Sequence, residues 1–116
     1  MPRVVTFLVC FALAMLAPTS ATAQLGGSGS IQGTVLDTSN AAVPGATVTA
    51  TNVATGIATV RQTTTAGVYA LTPLPPGEYR VTVTLDGFQT FVREHVVVDA
   101  LSVIGLNVTL QVGAIT

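Results

Sequence analysis

The stretch Gly67–Leu85 reads Gly-Val-Tyr-Ala-Leu-Thr-Pro-Leu-Pro-Pro-Gly-Glu-Tyr-Arg-Val-Thr-Val-Thr-Leu, and it decides the fold. In its second half apolar and polar residues alternate. The apolar positions are Tyr79, Val81, Val83 and Leu85, and the polar positions are Glu78, Arg80, Thr82 and Thr84. Alternation with a period of two predicts a strand with one buried face and one solvated face.

A proline-rich connection precedes this strand. Its residues are Pro73, Pro75, Pro76 and Gly77. Proline has no N–H to donate and glycine can take positive φ, so this segment predicts a turn. Tyr69 and Leu71 alternate in the same way just upstream. We therefore expect two core strands joined by a rigid proline connection.

The rest of the mature chain repeats this organisation of short strands between turn signals. Alternation or β-branched composition predicts further strands over residues 31–37, 46–51, 57–63, 88–92, 96–98 and 103–112. Turns are predicted at Asp37–Asn40, Pro44–Gly45 and Asp86–Gly87, the last as a compact hairpin. Arg61 lies inside the 57–63 segment, and a charge there is typical of an edge strand. No window has helical periodicity, so we predict an all-β, antiparallel Greek-key β-sandwich of about seven strands.

The N-terminal segment has the three parts of a secretory signal peptide. Arg3 provides positive charge, Val4–Ala17 is an apolar run, and Ala21-Thr22-Ala23 is a small-residue cleavage site. Cleavage after Ala23 places the mature N-terminus at Gln24. The apolar run is shorter than the 18 or more residues of a membrane-spanning helix, which argues against an anchor. We expect a helical signal peptide over residues 1–23, a flexible leader over 24–29, a β-sandwich over 30–112 and a tail over 113–116.

Composition excludes several function classes. Charged residues make up 8% of the 116 residues, and three arginines against five acidic residues follow Gln24, a net charge of −2. This leaves no basic patch for nucleic acid. The single cysteine, Cys10, lies in the apolar leader, so the mature domain contains no disulfide and depends on its core.

No constellation of residues indicates catalysis or metal binding. Asp37 and Asp86 lie at turns, and Glu78 lies beside Arg80 on a solvated face. His95 is the only histidine, whereas a zinc site needs three or four ligands. We therefore expect no catalytic residue, no metal site and no cofactor.

The aromatic residues bear on carbohydrate binding. The alternation places Tyr69 and Tyr79 on the apolar faces of their strands, so we interpret both as core residues whose hydroxyls find partners near the rim. Phe91 is the candidate surface contact. A carbohydrate-binding module would need an exposed aromatic pair, and burial of the two tyrosines would remove its best residues.

Several runs resemble the carboxypeptidase regulatory-like domain. They are Ile31–Asp37, Val43–Val48, Gly67–Tyr69, Leu74–Val83 and Gly87–Phe88, and the match covers nearly all of residues 30–112. The resemblance implies a transthyretin-like, or prealbumin-like, Greek-key sandwich in the grouping called the carbohydrate-binding-like fold. It supplies no catalytic residue, because the zinc site of metallocarboxypeptidases lies in a separate domain.

The leader and the ending Leu110–Ile115 resemble the N-terminal region of bacterial TonB-dependent, Oar-like outer-membrane receptors. There the domain follows the signal peptide and precedes a plug and a β-barrel. The resemblance implies an exported, non-enzymatic accessory module in the periplasm or outer membrane, either the N-terminal part or a fragment of such a receptor. Its expected partner is the receptor barrel of the same or a related polypeptide, and no membrane span is expected in the mature domain. The alternative is a small carbohydrate- or cell-wall-binding module.

Overall fold

Eight β-strands form the part of the chain that the structure, a computed structural model, describes, residues 27–113. They are β1 (Gly29–Asp37), β2 (Thr47–Asn52), β3 (Ala58–Gln62), β4 (Val68–Leu74), β5 (Gly77–Thr84), β6 (Phe91–Val98), β7 (Val103–Gly105) and β8 (Val108–Leu110). These residues contain no helix, as expected. The strands lie in two sheets, which confirms the all-β sandwich. Residues 1–26, and with them the signal-peptide prediction, lie outside the described residues.

The first sheet has the order β3-β2-β5-β6, and every pairing in it is antiparallel. β2 and β5, the two central strands, each present one face to the core. Ala46, Val48 and Ala50 are fully buried, as the alternation predicts, while the threonines between them face outward. β3 is an edge strand of this sheet, which confirms the prediction for the segment containing Arg61.

The second sheet is built around β1, which pairs on both sides. β1 runs antiparallel to β4 and parallel to β7 and β8. A purely antiparallel sandwich was therefore the wrong expectation for the end of the chain. The segment 103–112 is also divided, because Leu106 and Asn107 leave the strand between β7 and β8.

The core fills the space between the sheets. Its large, fully buried side chains include both tyrosines, and the aliphatic members are Ile31, Leu71, Leu74, Leu110, Val35, Val48, Val81, Val83, Val98 and Val108. Among the described residues, no buried side-chain nitrogen or oxygen atom lacks a hydrogen-bond partner. Burial of these branched side chains removes apolar area from water and is the main force that holds the two sheets together.

The connection after β5 differs from the prediction. Asp86–Gly87 belongs to a longer link, because β5 ends at Thr84 and β6 begins only at Phe91. Phe88, predicted in a strand with Phe91, instead forms an isolated bridge with Val112. The proline connection joins β4 to β5, as predicted, and it carries the chain from one sheet to the other. Pro73 lies within β4, which is tolerated because β4 is an edge strand.

Gly33 allows the close approach of β1 to the segment between β7 and β8. A Cβ added at Gly33 would overlap the backbone carbonyl of Leu106. That segment is held to β1 by two bonds: the Leu106 N–H donates to the Gln32 carbonyl at 2.9 Å, and the Thr34 N–H donates to Asn107 Oδ1 at 3.1 Å. Gly33 is therefore required by packing against backbone, which cannot rotate away as a side chain could.

We predict that Gly33→Ala lowers the free energy of unfolding by about 3 kcal/mol, because backbone must shift to relieve the overlap. Gly105→Ala is the matched control. An added Cβ at Gly105, also next to β1 in the sheet, meets no heavy atom within 4 Å. Urea unfolding of both variants checks the prediction, and equal stabilities would show that the approach at Gly33 is not tight.

Candidate interaction surface

Asp37 has a structural role in the turn that follows β1. Asp37 closes the turn after β1: its Oδ1 accepts hydrogen bonds from the Ser39 hydroxyl at 2.7 Å, the Ser39 N–H at 2.8 Å and the Ala41 N–H at 3.0 Å. The Ser39 hydroxyl, followed by the Ala41 N–H, lowers the pKa of Asp37 below its ordinary value. Asn40, with φ of 64°, completes the turn in the left-handed region.

Two pairs of titratable side chains lie on the outer face of β5 and β6. Arg80 Nε lies 2.9 Å from Glu94 Oε1, and His95 Nδ1 lies 3.4 Å from Glu78 Oε2. The β5–β6 register shifts between Tyr79 and Val81, and His95 has φ of 59° at this β-bulge. Within residues 27–113, no three His, Cys, Asp or Glu residues come together as a metal-binding group. The pairs are exposed and lie on an open sheet face, where surface ion pairs are weak and solvated.

The two tyrosines are buried where the alternation predicts them, each 2% exposed. The Tyr69 hydroxyl donates to the Leu106 carbonyl, and the Tyr79 hydroxyl donates to the Pro75 carbonyl at 2.6 Å. Each phenol thus joins a core ring to a backbone acceptor; the Tyr79 bond is partly buried, whereas the Tyr69 bond is buried rather than at the rim. Neither ring is available to stack on a sugar, so a carbohydrate site loses both of these residues.

Burial raises the pKa of Tyr69 to about 12, against about 10 for an unfolded tyrosine. Because the folded-state pKa is higher, the stability contribution is complete below pH 10 and is lost as the pH rises toward 12. We predict that the free energy of unfolding falls between pH 9 and pH 11.5, and falls less in Tyr69→Phe. Urea titrations at both pH values check this. Tyr79→Phe is the matched variant, since it removes the other buried hydroxyl and keeps Tyr69. A loss in Tyr69→Phe as large as the loss in the unsubstituted chain would contradict the assignment.

Phe91, the candidate surface contact, lies at the start of β6. Its ring is half-buried and packs against the core, and the Arg93 guanidinium carbon lies 5.7 Å from the ring centroid. Beside it is a shallow depression of about 170 Å³, lined by Gln89, Thr90, Phe91, Thr109, Leu110 and Gln111. Because Arg93 lies over the Phe91 ring and the core packs against it, Phe91 offers little exposed surface on which a sugar could stack. The signal-cleavage residues Ala21, Ala23 and Gln24 lie outside the described residues.

The sheet edges differ in how they are protected from further pairing. β6 has the bulge and three consecutive charged or titratable residues, β4 contains Pro73, and β7 and β8 are three residues each. β3 has none of these features, since its five residues pair with β2 in unbroken register. Ala58, Val60 and Gln62 are exposed on it, and Ile57 just before it is 68% exposed. Among the edges that the structure describes, β3 is the one most open to strand addition.

Arg61 protects this edge at one point. Two hydrogen bonds at the ends of the β2–β3 pair show which residues of β3 bond to β2. The Asn52 N–H donates to the Ile57 carbonyl and the Thr63 N–H donates to the Ala46 carbonyl, both at 2.9 Å, so the odd-numbered residues of β3 face β2. The backbone groups of Ala58, Val60 and Gln62 consequently point away from β2. Arg61 Nη1 donates to the outward Val60 carbonyl at 2.8 Å, and Nη2 donates to the Thr72 carbonyl of β4 at 3.0 Å. One guanidinium thus connects the two sheets across their open side.

The sequence did not indicate that Thr63 is part of this arrangement. Thr63 was expected within the edge strand, but it is buried at 6% exposure just after β3. Its hydroxyl donates to the Val43 carbonyl at 2.7 Å and accepts from the Ala46 N–H at 2.9 Å. A hydroxyl that is satisfied by backbone in this way fixes the end of β3 on the loop before β2.

We predict that Arg61→Ala lowers the free energy of unfolding by about 1 kcal/mol, because the Val60 and Thr72 carbonyls lose the guanidinium donor and must bond to water instead. Gln62→Ala, its exposed neighbour, should change it by less than about 0.5 kcal/mol. Amide hydrogen exchange supplies the second readout: the Ala58, Val60 and Gln62 amides should exchange faster than those of Thr59 and Arg61. Uniform protection along β3 would contradict an open edge.

Comparison with known proteins gives one family and a set of structural neighbours. The family model described as "Carboxypeptidase regulatory-like domain" matches residues 30–111. A search of curated proteins found no match. No helix among the described residues is long and apolar enough to cross a membrane.

Three similar solved structures come from proteins of different kinds. The TIE protein of Bacillus anthracis matches with a TM-score of 0.62 and 20% identity over 74% of this chain and 17% of its own. A Bacteroides uniformis protein, described as a candidate carbohydrate-binding protein, matches with a TM-score of 0.59 and 20% identity. The match covers 73% of this chain and 42% of that protein. The 3-chlorocatechol 1,2-dioxygenase of Rhodococcus opacus matches with a TM-score of 0.58 and 11% identity. The match covers 76% of this chain and 61% of the enzyme. The chain thus spans less than two thirds of each, and at these identities they show the sandwich fold alone.

Proposed function

The chain belongs to the carboxypeptidase regulatory-like domain family, and from that membership we propose that it is a non-enzymatic, exported accessory module of a TonB-dependent outer-membrane receptor. The module is the N-terminal domain, or a fragment, of such a receptor and faces the periplasm. The signal-peptide pattern before residue 24 supports export. The resemblance of the leader and of Leu110–Ile115 to these receptors supports the context.

The path of the chain through the sandwich is the observation that carries this proposal. β1 and the last strands run parallel, with Ser30 beside Val103 and Asp37 beside Leu110. The chain therefore enters at one end of the sandwich and leaves at the other, separated by the length of nine-residue β1, about 30 Å. Such a domain can be placed in line between two segments and hold them apart, which suits a rigid spacer.

The β3 edge is the surface that this module offers to a partner. An extended polypeptide segment would add as a fifth strand beside Ala58–Gln62, through backbone bonds to the outward groups of β3. Val60 and Ile57 provide exposed apolar side chains next to it. The segment would displace Arg61 from the Val60 carbonyl, so the loss of this hydrogen bond would weaken the binding of the segment.

The carbohydrate-binding alternative has weaker support. Its two best aromatic residues are in the core, and Phe91 packs against core and Arg93. An enzymatic role has no residues to perform it among those described: the acids hold a turn or pair with neighbouring side chains on an open face, or lie singly in loops. The interaction module is therefore the function that the geometry supports best.

The native product tests this proposal. We predict that the protein recovered from the outer-membrane fraction of its source cells begins at Gln24 and extends beyond Thr116 into a plug and barrel. N-terminal sequencing and intact mass measure both ends, and the nucleotide sequence after the Thr116 codon provides the control. Ala23→Phe should block cleavage, because the processing site needs a small residue there. A product that keeps residues 1–23, or a soluble one that ends at Thr116, would refute the receptor assignment; the latter would favour a free-standing binding module.

A further inference from the structure

The first and last strands of the domain are hydrogen-bonded neighbours along almost their full length. β1 pairs in parallel with β7 through Ser30, Ile31 and Gln32, and with β8 through Val35, Leu36 and Asp37. The contact begins even before β1, where the Leu101 N–H donates to the Ser28 carbonyl at 3.1 Å. We call this set of bonds between residues 28–37 and 101–110 the terminal-strand pairing.

This arrangement determines how tension between the two ends would act. Tension would draw the start of β1 out of one end of the sandwich and the end of β8 out of the other. Because the two strands are parallel neighbours, they would be pulled past each other along their length. Every bond of the terminal-strand pairing would then bear load at the same time, whereas pulling two strands apart from one end breaks bonds one after another.

The other side of β1 reinforces the pairing. The Val35 N–H donates to the Gly67 carbonyl at 2.8 Å, while the Ser30 N–H donates to the Ser102 carbonyl at 2.9 Å. With the observed registers, odd-numbered residues of β1 bond to the β4 side and even-numbered residues bond to the last strands. β1 is therefore central in its sheet and cannot leave without breaking bonds on both sides.

The break between β7 and β8 would be the weak point of this pairing, and Asn107 closes it. There the backbone no longer follows β1, but Asn107 Oδ1 accepts from the Thr34 N–H at 3.1 Å. The neighbouring Leu106 N–H donates to Gln32, and the Leu106 carbonyl accepts from the buried Tyr69 hydroxyl. A side-chain amide thus replaces the missing backbone acceptor, so the pairing continues across the interruption.

We propose that the domain is a load-bearing link, in which the terminal-strand pairing transmits tension between the preceding and following polypeptide without unfolding. The inference rests on the in-line placement given under the proposed function. It goes beyond a spacer, because a spacer needs only length, whereas this role needs resistance along one particular direction. No partner or ligand is required, because the resistance lies in the order and direction of the strands.

Single-molecule force spectroscopy on the full chain, held by tags at both termini, tests the proposal. Asn107→Ala should raise the rate of unfolding at constant force about fivefold, the factor that corresponds to the loss of one hydrogen bond. Forced unfolding reports the unfolding rate, so only bonds that break before the barrier count. Asn52→Ala is the matched control. Asn52 Oδ1 accepts from the Ala54 N–H at 2.9 Å and the Thr55 N–H at 3.2 Å, but Asn52 is the last residue of β2, in the other sheet and outside the pairing.

Direction of pulling gives a second test that does not depend on either substitution. A Cys10→Ser/Ala54→Cys chain can be held at its N-terminus and at position 54. Force then enters the sandwich at the start of β1 and just after β2. These two points lie at the same end, because β1 begins beside the end of β4 and β2 ends beside the start of β5. Unfolding should then need a lower force than pulling from the termini at the same loading rate. Equal forces in the two geometries would overturn the proposal, as would equal unfolding rates for the Asn107 and Asn52 variants. These outcomes are independent of where the native product is found, so the receptor assignment can fail while the mechanical property stands, or the reverse.

Discussion

The structure depends on the double pairing of β1. On one side β1 bonds antiparallel to β4, and on the other it bonds parallel to β7 and β8. Gly33 makes the second contact sterically possible, because any side chain there would overlap the Leu106 carbonyl. That carbonyl is also the acceptor for Tyr69, whose ring occupies the core. Backbone pairing, core packing and the path of the last strands therefore meet at one point of β1.

Much of this fold could be predicted from alternation, because alternation reports which face of a strand is buried. It placed Tyr69, Tyr79 and the Ala46–Ala50 face correctly in the core. It did not report strand direction, since β1 buries Ile31 and Val35 on one face although its neighbours run both antiparallel and parallel to it. The β1–β7 and β1–β8 pairings were therefore missed. The break at Leu106–Asn107 was missed for a related reason: buried Leu106 and Val108 continue the alternation across it. Phe88 was misplaced because its partner, Val112, is distant in sequence.

The candidate surface was predicted only in part, and Arg61 shows why. A charge within a short apolar strand indicates an edge, and β3 is an edge. The alternation does not predict which acceptors the Arg61 guanidinium bonds to. It donates to a carbonyl of its own strand and to one on β4, eleven residues further along the chain and in the other sheet. Thr63 is a similar case, because its partner Val43 lies 20 residues away. Contacts of this kind depend on the assembled sandwich rather than on local pattern.

The distribution of polar groups indicates what kind of function such a domain can have. Asp37 is held by three donors in a turn, Arg80 is paired with Glu94, and Arg61 joins the two sheets. A reactive site needs groups that remain free to exchange protons or bind ligands in a protected cleft. Here Asp37 and Arg61 support backbone geometry, and Arg80 and Glu94 pair with each other on an exposed face. What varies over the surface is the availability of strand edges. Both roles that we propose for this domain depend on strand pairing, one with a partner at β3 and the other between its own first and last strands.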